Sequence, residues 1–228
     1  MQRVPSRYVT ALGGEGEYEP GSRQRVLQNL LGIRSKREMD RVENEALKRT
    51  EDHFASVITT ETIFSVDIIR EMHRHFLGKI YPWAGNIRTV NVSKGGFTWP
   101  PPQYLEAALK EFEYDCLRRL TPLRSAPIEN IAHSLAEVHA EFLMIHPFRD
   151  GNGRIARLIA MLMALQASEA PPYYGFTGRG SRKQWQRYLT AVIQGYNKNY
   201  EPLTRFFAEA LGRWEEGWLL DLTSDAGL

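Results

Sequence analysis

Apolar side chains recur at three- and four-residue intervals along most of the chain, the period of helices with one buried stripe. Val26, Leu27, Leu30 and Leu31 share such a face, and the helical pattern extends from about Arg23 to Leu77. Within it, a helix runs from Lys36 to about Val57, with Ser35 placed to cap it ahead of Glu38. A second covers about Val66 to Phe76 and stops at Gly78, where glycine suits a left-handed terminus. Residues 103–120 and 128–145 follow, the latter with Ile131, Leu135, Val138, Phe142 and Ile145 at core spacing. Residues 153–167 are nearly all apolar after Arg157, and two further helices break near Gly195 and Pro202.

The period changes once. Over residues 85–102 the side chains of Ile87, Thr89, Asn91 and Ser93 alternate with Arg88, Val90 and Val92 before Gly95-Gly96, which predicts a β-hairpin. An isolated hairpin is only marginally stable, so it must pack on the helices and leave an edge open. Such an edge either is purely structural or receives an extended peptide by strand addition. Residues 1–22 are rich in Gly and Pro and predict a loop-rich arm. The expected fold is mainly α, a helical bundle core with a small β-hairpin flap.

Composition narrows the class. A chain of 228 residues, 43% hydrophobic and 25% charged, suits one soluble globular domain. The 29 basic and 27 acidic side chains leave a net charge of +2, which argues for no general nucleic-acid or membrane partner. Any bound phosphate must therefore be held locally. A single cysteine, Cys116, forms no internal disulfide and lies in a helical stretch, so it reads as inert packing in a reducing compartment. No apolar run approaches the roughly 20 residues of a membrane span, and the amino terminus lacks a signal-peptide core. The expected compartment is cytoplasmic, with delivery by another route leaving no mark in the sequence.

The chemistry concentrates in residues 146–157, HPFRDGNGRIAR, between two predicted helices. The N–H groups that open the second helix have no intrahelical partners, and the helix dipole adds positive charge there, which makes an anion site. Gly151 and Gly153 let a phosphate approach the backbone. Arg154 and Arg157, three apart, reach further phosphate oxygens, so a di- or triphosphate fits better than one phosphate. Asp150 is a hard oxygen ligand of the kind that holds Mg2+ beside phosphates. His146 exchanges a proton near neutral pH and is placed to activate a hydroxyl for attack on phosphorus. A glycine-rich helix cap and a histidine at a helix end are each common without function, but their combination points to phosphoryl or nucleotidyl transfer. His133 and His139 lack the spacing of a zinc helix and read as packing or solvated residues.

The motif resembles the Fic signature, His-x-Phe-x-(Asp/Glu)-Gly-Asn-Gly-Arg-x-x-Arg, at every specified position. MHRHFLGKIYPWAGNIRTVNVSKGG resembles the segment leading into the family's flap hairpin, and YEPGSRQRVLQNLLGI its amino-terminal arm; together the resemblance covers about Tyr18 to Leu211. It implies a Fic fold over residues 23–212, between an arm (1–22) and a tail (213–228), and Mg2+-dependent transfer of AMP from ATP to a Ser, Thr or Tyr hydroxyl of a target protein. By position, His146 would be the general base, Phe148 the loop anchor, and Asp150 the Mg2+ ligand. Gly151, Asn152 and Gly153 would form the anion hole, Arg154 would bind the β- and γ-phosphates, and Arg157 the γ-phosphate. The hairpin at 88–99 would dock the target segment, with Lys94 and Gly95 near the nucleotide, and Tyr188 would line the adenine pocket.

Many members of the family carry an inhibitory (Ser/Thr)-x-x-x-Glu-(Gly/Asn) helix whose glutamate pairs with the second motif arginine, here Arg157. The one formal match runs from Ser125 through Glu129 to Asn130, but Pro127 makes it read as a helix start capped by Ser125. This favours inhibition in trans by a small antitoxin protein, with the chain as the toxin, or an effector-like or unregulated member. The alternatives to adenylyl transfer are another Fic reaction, with a different nucleotide donor, phosphate transfer or removal of AMP, and a nucleotide-dependent peptide-binding module.

Overall fold

In a computed structural model, residues 14–178 and 180–212 are described. The fold is mainly helical, with eight α-helices and one two-stranded antiparallel hairpin among those residues. The chain divides into two compact units, the described residues of 1–57, 65–113 and 144–155 forming one, and those of 58–64, 114–143 and 156–228 the other.

In the first unit, α1 (Lys36–Val57) buries Met39, Glu43, Ala46, Thr50 and Phe54 at three- and four-residue steps and packs on α2 (Val66–Leu77). Ser35 caps α1 through the Glu38 N–H, and Ser65 caps α2 by accepting from the Ile68 N–H at 3.2 Å. Gly78 ends α2 in a right-handed conformation (φ −64°), not the left-handed one expected. Glycine is needed there for space, since a Cβ would lie 2.5 Å from the Arg74 carbonyl oxygen. Of the predicted arm, residues 1–13 lie outside the described residues. Residues 23–34 are not helical: Tyr18 bridges Leu27 as an isolated antiparallel pair, Glu19 N–H donates to the Val26 carbonyl, and Leu30 N–H to that of Ile80. Val26 and Leu27 are fully buried while Leu30 and Leu31 are exposed, so the four residues do not share one face. The predicted tail at 213–228 lies outside the described residues.

The hairpin is far shorter than the alternation suggested. Only β1 (Ser93–Lys94) and β2 (Phe97–Thr98) pair, in the register Ser93 to Thr98 and Lys94 to Phe97. Gly95 and Gly96 join them with φ of +60° and +84°, the double left-handed geometry of a two-residue hairpin turn. One further bond, Trp99 N–H to Val92 O, extends the pair before Pro100, Pro101 and Pro102, which supply no N–H donors to a ladder. Helix α3 (Leu105–Phe112) follows, and a π turn (Glu113–Leu117) leads into α4 (Arg118–Leu120).

The second unit holds most of α5 (Ile128–Ile145), α6 (Asn152–Gln166) beyond Ile155, α7 (Ser181–Gly195) and α8 (Glu201–Gly212). α5 opens at Pro127, whose carbonyl accepts from the N–H groups of Asn130 and Ile131; no bond to Ser125 caps it among the described residues. α7 and α8 pack on each other around Tyr188, Val192, Phe206 and Phe207. α5 crosses α7 closely, since a Cβ on Gly195 would lie 2.6 Å from that of Ala140. Cys116 is buried in the π turn. No helix among the described residues is long and apolar enough to cross a membrane.

Candidate active site

The first unit carries the motif as far as Ile155. α5 stops at Ile145, and the next residue, His146, takes a left-handed backbone (φ +52°) and is 3% exposed. That conformation costs a non-glycine residue ~1–2 kcal/mol and must be held by its surroundings. Arg88 helps to hold it: the His146 carbonyl accepts from Arg88 Nε at 2.8 Å, and the Pro147 carbonyl accepts from the Arg88 N–H at 2.9 Å. The Trp99 ring lies 4.1 Å from the imidazole, centroid to centroid, and closes one side of it.

The loop after His146 is built around two side chains. Asn152, fully buried, clamps the turn from both directions: its Oδ1 accepts from the Phe148 N–H at 2.9 Å and its Nδ2 donates to the Phe148 carbonyl at 2.8 Å. His73, reaching from α2, supplies the other hold. Gly85 N–H donates to Nδ1 at 2.8 Å, which leaves the proton on Nε2 to donate to the Asp150 carbonyl at 3.0 Å. Burial pushes this imidazole down to about 4, so it is neutral at pH 7. Its ring stacks on Phe148 at 3.8 Å, which anchors the loop in the core. Gly151 takes φ +85° and leaves no room for a side chain, since a Cβ would meet His73 Nε2 and Leu77 Cδ1 at 3.2 Å.

Helix α6 then begins at Asn152, so the backbone of Asn152 and Gly153 forms its positive end. Asp150 sits beside that end and accepts from the Gly151 N–H at 2.6 Å. Arg154 Nη1 donates to Glu43 Oε2 at 2.7 Å, and its Nη2 lies 3.4 Å from Asp150 Oδ1. Glu43 is 2% exposed, on the buried stripe of α1, and Tyr81 Oη donates to its other oxygen at 2.6 Å. The Arg154 guanidinium also lies over the Phe76 ring at 4.8 Å. Two carboxylates and a ring thus fix the plane of the fork. Lys94 and Gly95 are exposed at the tip of the hairpin. Three His, Cys, Asp or Glu side chains do not gather as a metal centre among the described residues. Asp150 presents one carboxylate beside the positive end of α6, a hard oxygen donor that a Mg2+ ion would take while phosphate oxygens and water supply its other ligands.

In the second unit, Arg157 lies one turn further along α6 and near the rings of Tyr174 and Phe176, at 6.0 and 5.9 Å. No carboxylate of the described residues forms an ion pair with it, and Glu129 is exposed at the start of α5. Tyr188 is 2% exposed, with its hydroxyl 2.6 Å from His139 Nε2 and beside the Arg157 guanidinium. His139 Nδ1 donates to the Ala156 carbonyl at 3.2 Å, so Nε2 accepts from the tyrosine. Burial, reinforced by Arg157, pushes His139 down to about 3.

Residues 63–164 match the model of the Fic/DOC family. The chain belongs to the Fic/DOC family. It is 41% identical over 108 residues to protein adenylyltransferase fic-1 of Caenorhabditis elegans, an alignment covering 47% of this chain and 20% of that one. It is 31% identical over 134 residues to the probable protein adenylyltransferase y4lH of Sinorhizobium fredii, covering 59% and 66%. The chain thus spans only part of these relatives. The crystal structure of BepC, a VirB-translocated effector of Bartonella tribocorum with bound AMPPNP, superposes with a TM-score of 0.66 at 20% identity, over 81% of this chain and 91% of that one.

The Fic motif is therefore divided, with His146, Asp150 and Gly151 to Arg154 brought together in the first unit and Arg157 and Tyr188 in the second. Three residues that orient it escaped the sequence reading: Glu43, His73 and Arg88; His139, read as packing or solvated, is buried between the Ala156 carbonyl and the Tyr188 hydroxyl. Two carried a signal, since Glu43 and His73 are polar side chains on buried helical stripes, where an apolar residue is the rule. Arg88 carried none, because the partner that ties it to the motif, the His146 carbonyl, lies 58 positions along the chain.

Proposed function

We propose that the chain, with residues 23–212 as its Fic domain, is a protein adenylyltransferase that transfers AMP from ATP to a Ser, Thr or Tyr hydroxyl of a target protein. The observation that carries this reading is the buried His146, fixed in an unusual backbone conformation four residues ahead of Asp150 and the positive end of α6. His146 takes the proton of the attacking hydroxyl as its oxygen bonds to the α-phosphorus. The bond from that phosphorus to the bridging oxygen breaks, and pyrophosphate leaves. The N–H groups at Gly151 to Gly153 cradle phosphate oxygens, while Arg154 receives the β- and γ-phosphates and Arg157 the γ-phosphate. Asp150 holds Mg2+, whose contribution is to neutralise charge on the polyphosphate. Lys94 and Gly95 flank the nucleotide, the hairpin registers the target segment, and Tyr188 contributes to the adenine side. An Arg157 that pairs with no carboxylate of the described residues is compatible with a glutamate supplied in trans by a small antitoxin protein, and equally with an effector-like or unregulated member.

The test is incubation with Mg2+, a bacterial lysate, and ATP labelled separately at the α- and γ-phosphates. Label from the α-phosphate should appear on protein, and His146→Ala should reduce it by ~10²- to 10⁴-fold with nucleotide affinity within about threefold of the wild type. Label from γ alone would replace the reading with phosphate transfer, and label from neither would overturn the enzymatic reading.

A further inference from the structure

Arg88 is 1% exposed and, with Arg149, the largest of the fully buried side chains among the described residues. All three ends of its guanidinium donate to main-chain carbonyls: Nε to His146 at 2.8 Å, Nη1 to Val90 at 2.8 Å and Nη2 to Pro100 at 2.7 Å. Its own N–H adds the bond to Pro147. Two of these acceptors bracket the hairpin, Val90 ahead of β1 and Pro100 just after β2. The other two flank the peptide that gives His146 its left-handed backbone. Trp99, the neighbour of Pro100, adds a second link by laying its ring against the imidazole.

We propose that Arg88 is a positioning residue that couples the base of the hairpin to the orientation of His146, so that an occupied flap and a correctly placed base are one mechanical state. The bearing on rate rests on the adenylyltransferase reading; the coupling itself does not. A rigid fork is required, because three carbonyls on three separate segments are spanned by one planar group, which the compact ammonium of lysine does not reach.

Amide hydrogen exchange, followed by mass spectrometry on the full chain, tests this with Arg88→Lys. Exchange should rise about tenfold, the factor for one lost charge-assisted hydrogen bond, in both segments 89–99 and 145–151, with α7 and α8 unchanged. Faster exchange in the hairpin alone, or spread evenly over the chain, overturns the proposal. Should Arg88→Lys fail to fold, a Ser93→Cys/Thr98→Cys pair across the hairpin serves instead. Its oxidation should slow exchange at 145–151 as well as in the hairpin, and an unchanged 145–151 segment would refute the coupling. In the transfer assay, Arg88→Lys should lower kcat at least tenfold with KM for ATP within about threefold. A parallel rise in KM would mean a merely structural role. A wild-type protein without transfer would remove the adenylyltransferase reading and leave the exchange result to decide the coupling.

Discussion

Replacing Asn152 by alanine removes both bonds that close the loop after His146. The Phe148 N–H and carbonyl would then face a site that is fully buried at Asn152 and 1% exposed at Phe148. Each orphaned buried backbone group costs about 1–3 kcal/mol, and water entering the space left by the amide recovers part of it, so a net loss of about 3 kcal/mol is expected. For a chain of this size that corresponds to a fall in Tm of about 6–12 °C. Urea denaturation should show a lower midpoint with an unchanged m value. Asn152→Asp sharpens the reasoning. It retains an acceptor for the Phe148 N–H but turns a second oxygen toward the Phe148 carbonyl, so it should be no more stable than the alanine variant. If Asn152→Ala stays within about 0.5 kcal/mol of the wild type while transfer is lost, the side chain serves the ligand and not the loop, and the clamp is refuted.

Two further outcomes follow from buried groups. His73 and His139 have folded-state pKa values of about 4 and about 3, below the ordinary ~6.5, so the unfolded chain binds protons that the folded one refuses. Their contribution is complete above pH ~6.5 and is lost as the pH falls toward 4, at up to ~1.4 kcal/mol per pH unit for each. A urea midpoint that does not fall between pH 6.5 and 4, or an unaltered slope in His139→Gln, would contradict this. The Cys116 thiol is pushed up to about 12 by burial first and by Glu137 and Glu141 next, so the folded chain at pH 8 should resist iodoacetamide and react fast only in denaturant. Alkylation of the native chain at the rate of a free cysteine would refute that placement.

Local pattern was enough for the helices. Lys36–Val57 and Ile128–Ile145 follow from the apolar period alone, because a helix satisfies its backbone within itself and shows its buried face every three or four residues. The motif was equally legible, since its glycines, its acid and its arginines act through neighbours in the chain. Where the sequence misled, a hydrogen-bond partner outside the regular helical or ladder spacing decided. Residues 23–34 carry a helical spacing, yet Val26 and Leu27 gain burial and backbone bonds by pairing with Glu19 and Tyr18. The alternation at 85–92 promised a long hairpin. Arg88 instead takes the carbonyls of Val90 and Pro100 that a ladder would have used, and the prolines deny it donors.

What the sequence by itself determined was the helical period, the hairpin turn at Gly95-Gly96 and the twelve-residue signature with its chemistry. Only the tertiary structure decided how those groups are aimed. His73 reaches the Asp150 carbonyl from 77 positions away, Glu43 meets Arg154 across 111, and Arg88 grips His146 across 58. Each contact joins segments whose encounter depends on the packing of whole helices, and no spacing along the chain encodes it.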